Sequence, residues 1–287
     1  MNKLSGLLFV FYMLLLQACN MINPKETIPT FIQIDSVHLA PTVLSKHGSI
    51  SHKITDVWVY YDLQFLGAFE LPAKVPVITE GRGQLQIVAG IWDNGLSGTR
   101  AKYPFYTVDT FTFSASPAQT LFHTPQFNYR TTDTPAITYT VEDFEQGNGF
   151  TKYSGDTSLV RTNTSGELFE GDWSGKITLD SAATSSQIIT IENYSLPANQ
   201  DAYLEMNYKC DVPISMQTRI NYQGAWTTYD IIGLKARDNW TKVYLKLSGF
   251  SATYQNGKFR FIIASSLPSG MDKATVLIDN FKIIYFN

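Results

Sequence analysis

The stretch "ATVLIDNFKIIYF" (274–286) decides what kind of fold this chain makes. Read with a period of two, Leu277, Asp279, Phe281 and Ile283 share one face, and Val276, Ile278 and Ile284 share the other. Both faces are apolar, so the strand is covered on both sides. Asp279 interrupts that pattern. A carboxylate buried without a partner costs several kcal/mol, so Asp279 needs one.

The same alternation recurs upstream. In "DVWVYY" (56–61), Val57 and Val59 face one way while Trp58 and Tyr60 face the other. Leu85, Ile87 and Ala89 share a face in "LQIVA" (85–89). Val243, Leu245 and Leu247 point inward in "VYLKL" (243–247), with Tyr244 and Lys246 outward. Phe259, Phe261 and Ile263 point inward in "KFRFII" (258–263). "NG" at 94–95 and 256–257 and "QG" at 223–224 are hairpin signals. No helical periodicity appears after residue 27. The expected fold is therefore all-β, with sheet edges covered by closure into sandwiches. Pro, Thr and Ser crowd 116–136, which reads as a linker between a β-sandwich domain at 28–115 and a second at 137–287.

Composition narrows the function. Charged residues are 16 % of the chain, against about 25 % in ordinary soluble proteins. Net charge is −3 and no Lys/Arg block occurs, so nucleic acid is not an expected partner. Aromatic residues reach 14 %, which supplies both cores and stacking surfaces.

The start of the chain reads as a secretory signal over 1–18. Lys3 precedes an apolar run from Leu7 to Leu16, too short for a comfortable membrane span. Leu16-Gln17-Ala18-Cys19 resembles the lipobox of bacterial lipoproteins. That resemblance implies cleavage before Cys19, lipidation of its thiol and acylation (palmitate or a similar chain) of the new N-terminus. Each buried methylene contributes about 0.8 kcal/mol, so two or more chains anchor firmly. Asn20 rather than Asp after the cysteine implies sorting to the outer membrane, at the periplasmic face or the cell surface. Residues 19–27 then form a tether. With Cys19 lipidated, Cys210 has no partner and is expected to be a small buried hydrophobe.

Residues 56–95 carry a strand, a turn at Asp62, an "LG" return and a second turn at "EGRG". This resembles PEGA-type and related Ig-like β-sandwich modules, which implies a spacer or interaction platform. Arg100, among aromatics, is expected to stack on a tyrosine. His47 and His52 sit in a polar stretch and are expected to be solvated.

The second domain opens with "VEDFEQGNGF" (141–150) and closes with the strand quoted first. Between them lie "GDWSGKITL" (171–179), "ISMQTRINYQGAW" (214–226) and "NWTKVYLKLSGF" (239–250). The order of strands resembles the jelly-roll sandwich of galactose-binding-like domains and carbohydrate-binding modules. The resemblance implies two things. Asp279 with Asp143 and Glu145 would hold a structural calcium, unless Asp279 instead accepts backbone N–H groups at a solvated strand end. Exposed aromatics would stack on sugar rings.

The candidate ligand residues are Trp226, Tyr222, Tyr229 and Trp173. Trp226 and Tyr222 flank the "QG" turn and form the favoured pair, because alternation sends Trp226 and Tyr229 to opposite sides. Trp240 is expected in the core. No GxSxG, HExxH or phosphate-binding glycine loop is present, so no enzyme and no catalytic cofactor are expected. The sequence points to a lipid-anchored outer-membrane binding module, with glycan as its expected partner. The alternative is a structural or assembly lipoprotein that contacts other outer-membrane proteins in secretion, motility or nutrient uptake.

Overall fold

The computed structural model describes residues 26–41, 43–131 and 136–287. The signal segment, Cys19 and the tether up to residue 25 lie outside the described residues. The chain is nearly all β, 56 % strand against 3 % helix.

The N-terminal half contains β1 (Thr30–Ile34), β2 (His38–Leu39), α1 (Leu44–His47), β3 (Asp56–Tyr61), β4 (Gln64–Glu70), β5 (Ala73–Val77), β6 (Arg82–Trp92), β7 (Arg100–Lys102), β8 (Asp109–Ser114), β9 (Thr120–Phe122) and β10 (Gln126–Phe127). One sheet has the order β5-β1-β9 and another β4-β3-β6-β7, with β8 also on β6. Val57, Val59, Leu85, Ile87 and Ala89 are fully buried between them, as their alternation requires. Residues 116–136 carry β9 and β10, which pair in parallel with β1 and β2.

The C-terminal half contains β11 (Ile137–Glu142), β12 (Phe150–Gly155), β13 (Val160–Thr162), β14 (Ser174–Asp180), β15 (Ser185–Thr190), β16 (Ala202–Cys210), β17 (Ile214–Tyr222), β18 (Ala225–Leu234), β19 (Arg237–Lys246), α2 (Ser248–Thr253), β20 (Lys258–Ser266) and β21 (Lys273–Phe286). They form a two-sheet sandwich of jelly-roll type. One sheet runs β13-β14-β21-β16-β19 with β11 also on β21; the other runs β12-β15-β20-β17-β18. Leu204, Met206, Leu245, Val276 and Phe281 from the first pack on Ile188, Met216, Ile220, Phe259 and Phe261 from the second. Each such side chain contributes about 1.5–3 kcal/mol on burial.

In β21 the regular alternation fails at one place. Val276 and Ile278 share the sandwich core with Phe281 and Ile283, so an odd and an even series face the same way. The register against β16 slips between Glu205 and Asn207, and Asn280 adopts φ +49°. This is a β-bulge with asparagine in the left-handed region, one of the few residue types that tolerate it. The extra residue shifts the phase of everything after it.

The outer face of the β16-containing sheet is not open to solvent. Tyr203, Tyr244, Ile284 and Phe286 are packed into the core of the N-terminal half, beside Tyr103, Phe105 and Tyr129. Tyr244 thus points out of its own sandwich, as alternation requires, yet is only 1 % exposed. Three charges are sealed in the same contact: Glu205 and Lys282 are 0 % exposed and Lys242 3 %.

Other expectations need correction. His47 is buried, not solvated, with its ring against Tyr129 and Tyr139. Arg100 pairs with Asp56 and Glu70; Lys102 is the cation over Trp58 and Tyr60. Trp240 packs on Phe169, on the face of β19 opposite the sandwich core, because Val243 and Leu245 hold the inward positions. Cys210 is buried, and burial pushes its thiol up to about 11, which removes it from nucleophilic chemistry.

Candidate ligand-binding face

β17 alternates cleanly. Ile214, Met216, Thr218 and Ile220 are buried inward, so Ser215, Gln217, Arg219 and Asn221 face out. Register carries this face across the sheet: Arg219 lies opposite Thr228 on β18 and opposite Arg260 on β20, and Asn221 lies opposite Trp226. The turn joining β17 to β18 uses Gln223 and Gly224, both at positive φ, which suits a two-residue type I′ hairpin.

Trp226 is 38 % exposed on that face. The guanidinium of Arg219 lies 5.2 Å from the Trp226 ring and 5.2 Å from the Tyr153 ring of β12. Tyr153 is 39 % exposed, and the register shift between Lys152 and Ser154 sits at its position. The result is an aromatic–cation–aromatic stack with both rings reachable from solvent. Polar groups flank it. Gln217 donates to Asp230 at 2.7 Å, and Arg260 donates from Nε to the carbonyl of Thr190 at 2.6 Å. Farther along the same sheet lies a groove of about 400 Å³, lined by small and polar residues that include Gly155, Gln187, Ser215, Gly233 and Ala264.

The structure does not bring the four aromatic candidates together. Tyr222 and Tyr229 turn to the other side of β17 and β18, where both rings meet Tyr254. Trp226 stays on the outer face. Trp173 lies immediately before β14, a strand of the other sheet, with Arg161 over its ring at 4.2 Å. Tyr153 and Arg260 were missed in the sequence. Alternation assigns each a face within its strand, but nothing local reveals which distant strands become neighbours.

The acidic candidates do meet. Asp143, Glu145 and Asp279 line one cavity of about 220 Å³, together with Glu170, Ser49 and Asn280. Glu145 accepts the backbone N–H groups of Asp172 and Trp173, and Asp143 accepts that of Glu145. Asp279 accepts from Ser174 Oγ at 2.6 Å and from the Asn280 N–H at 2.7 Å. Burial pushes its carboxyl up to about 7, against the pull of those two hydrogen bonds, with Glu170 adding to the rise. Among the described residues no three acidic, histidine or cysteine side chains already stand as a metal-binding set.

No protein-family model matches the chain, and no curated protein matches it either. Among solved structures it is similar to carbohydrate-binding modules. A CBM29-2 mutant complexed with mannohexaose is 12 % identical, with a TM-score of 0.35, over 52 % of this chain and 92 % of that one. TmCBM61 in complex with β-1,4-galactotriose is 12 % identical, with a TM-score of 0.31, over 52 % of this chain and 88 % of that one.

Proposed function

We propose that the chain is a non-catalytic glycan-binding lipoprotein, anchored at the outer membrane through Cys19. Sugar rings stack on Trp226 and Tyr153, and the amides and hydroxyls beside them orient the chain. One observation carries this reading: two exposed aromatic rings flank a guanidinium on an open sheet face. Flat apolar surface with a few placed polar groups is what a sugar ring requires. A glycan array probed with the purified chain tests it. Selective retention that Trp226→Ala abolishes supports the reading, and no retention on any glycan removes it.

A second reading rests on a different surface. Leu63, at the β3–β4 turn, is 81 % exposed, and Phe65 and Leu66 follow it on the edge strand β4. An exposed apolar edge of this kind suits contact with another outer-membrane protein.

Two further expectations belong to the proposal. Cys19→Ser should abolish incorporation of a fatty-acid analogue and block processing; a wild-type chain that takes up no label would end the lipoprotein reading. Calcium is proposed for the cavity that gathers Asp143, Glu145, Glu170 and Asp279, because the buried Asp279 stands there among three further carboxyls. Chelation should then lower the unfolding midpoint, by about 2.7 kcal/mol of stability if the ion stood at a hundredfold excess over its dissociation constant. An unchanged midpoint, with no metal in the purified protein, would remove calcium.

A further inference from the structure

Arg219 and Arg260 stand directly opposite each other across β17 and β20. Like charges in that position repel and destabilise a sheet. Among the described residues neither forms an ion pair with a carboxylate. The acid on this face, Asp230, is hydrogen-bonded to Gln217. Lys258, the next outward residue of β20, adds a third cation, and its ammonium donates to Ser195 Oγ. Burial and the neighbouring Arg219 both act against the charged form of Arg260. This concentration of cations occurs in a chain whose net charge is −3.

A second feature lies along the same edge strand. Beyond Gly233 of β18, a cavity of about 250 Å³ is lined by Lys53, Lys235 and Arg237, with the Trp92 ring beneath Lys53 at 5.5 Å. Trp92 Nε1 is buried there without an acceptor. Gly233 borders both this cavity and the groove on the outer face, so one extended ligand can follow β18 from Trp226 to Lys235.

We propose that the ligand of this face is an anionic polysaccharide, whose carboxylate or sulfate groups are taken by the opposed guanidiniums of Arg219 and Arg260 while its rings stack on Trp226 and Tyr153. The inference rests on the glycan reading above and adds the chemical class. A neutral glycan gives no reason for two arginines paired across the sheet with no carboxylate bonded to either. A carboxylate or sulfate does: each guanidinium presents a planar fork of donors that matches two oxygens, and the anion between them turns repulsion into attraction.

The test uses paired polymers with the full chain in about 0.15 M salt. Polygalacturonate is compared with its fully methyl-esterified form, and dextran sulfate with unmodified dextran. The anionic member of at least one pair should bind about tenfold or more tightly than its neutral counterpart. Which pair responds tells uronate from sulfate. Arg219→Gln and Arg260→Gln should each weaken that binding about tenfold, and so should Trp226→Ala. Lys74→Gln, on β5 of the N-terminal half, should leave it unchanged. If neutral and anionic members bind equally and Trp226→Ala abolishes both, the glycan reading stands and the anionic class falls. Anionic binding that survives Trp226→Ala is plain polyelectrolyte attraction and overturns the inference. So does binding unchanged in the arginine variants, or none by any of the four polymers.

Discussion

Replacing Glu205 by Ala is expected to cost the protein about 3–5 kcal/mol of stability, more than any surface change. Glu205 accepts from Lys242 at 2.6 Å and from Lys282 at 3.2 Å, and also from the hydroxyls of Tyr103 and Tyr129. All of this lies in the contact between the two halves, closed to water. Remove the carboxylate and two ammonium groups remain buried with no counter-charge, which is the expensive outcome. Substituting Glu205→Leu, Lys242→Met and Lys282→Met together should recover most of the loss, because an apolar trio leaves no charge uncompensated. Urea denaturation of the single and triple variants decides it. A single variant that unfolds at the wild-type midpoint would refute the claim that this cluster joins the halves.

The pH dependence follows from the same group. Burial alone would raise the Glu205 carboxyl; Lys242 first and Lys282 second overrule it and hold the group down at about 2. Its value in the unfolded chain is near 4.3, approximately the free glutamate value. A folded-state value below the unfolded one means the unfolded chain binds more protons between the two. The stabilisation is therefore complete above about pH 4.3 and is lost as pH falls toward 2. Acid unfolding in that window should be much reduced in the triple variant, measured against wild type at each pH.

This cluster also marks where the sequence stops being legible. The inward faces of "KFRFII" and "VYLKL" are readable because a strand has only two sides and hydrophobicity selects one. The all-β class follows from many such stretches agreeing. Glu205 within "YLEMNY" gives no such signal. Its neighbours Leu204 and Met206 announce the core, and an intervening acid reads as the solvent side. It is solvent-side with respect to its own sandwich, but the N-terminal half covers that side. Tyr244 and Lys282 are the same case. Alternation reports the face of a sheet and says nothing about what lies beyond it.

The bulge at Asn280 is a different limit. "LIDNFKII" has no glycine or proline to mark it, and a single asparagine in the left-handed region moves Phe281 and Ile283 to the other face. The grouping of Asp143, Glu145 and Asp279 comes from the resemblance to jelly rolls and not from alternation; the two acids just past β11 reach Asp279 because β11 pairs with β21. The proposed ligand face was half readable. Trp226 follows a turn signal and Arg219 is near it in sequence, whereas Tyr153 and Arg260 arrive by long-range pairing through β15 and β20.

Trp226→Ala should reduce glycan binding about ten- to hundredfold and leave the fold intact. A sugar ring covers roughly 100 Å² of an indole face, worth about 2.5 kcal/mol at about 25 cal/mol per Å². Part of that is offset by ordering the ligand, which leaves about 1.4–2.5 kcal/mol. The stability cost has a different source. Trp226 is on the outer face, and the contact it loses with Arg219 is worth about 0.5–1 kcal/mol. A core aromatic such as Phe261, 0 % exposed, should cost about 3–5 kcal/mol when cut to alanine. Denaturant melts therefore separate a binding residue from a packing residue before the ligand is identified. Tyr153→Ala should behave like Trp226→Ala, since both rings border Arg219. Tyr222→Ala should leave binding unchanged, since its ring turns to Tyr254 on the other side of the hairpin. If Tyr222→Ala weakens binding as much as Trp226→Ala does, the ligand lies over the hairpin tip instead of the sheet face. A drop of several kcal/mol in the stability of Trp226→Ala would take Trp226 out of the site altogether.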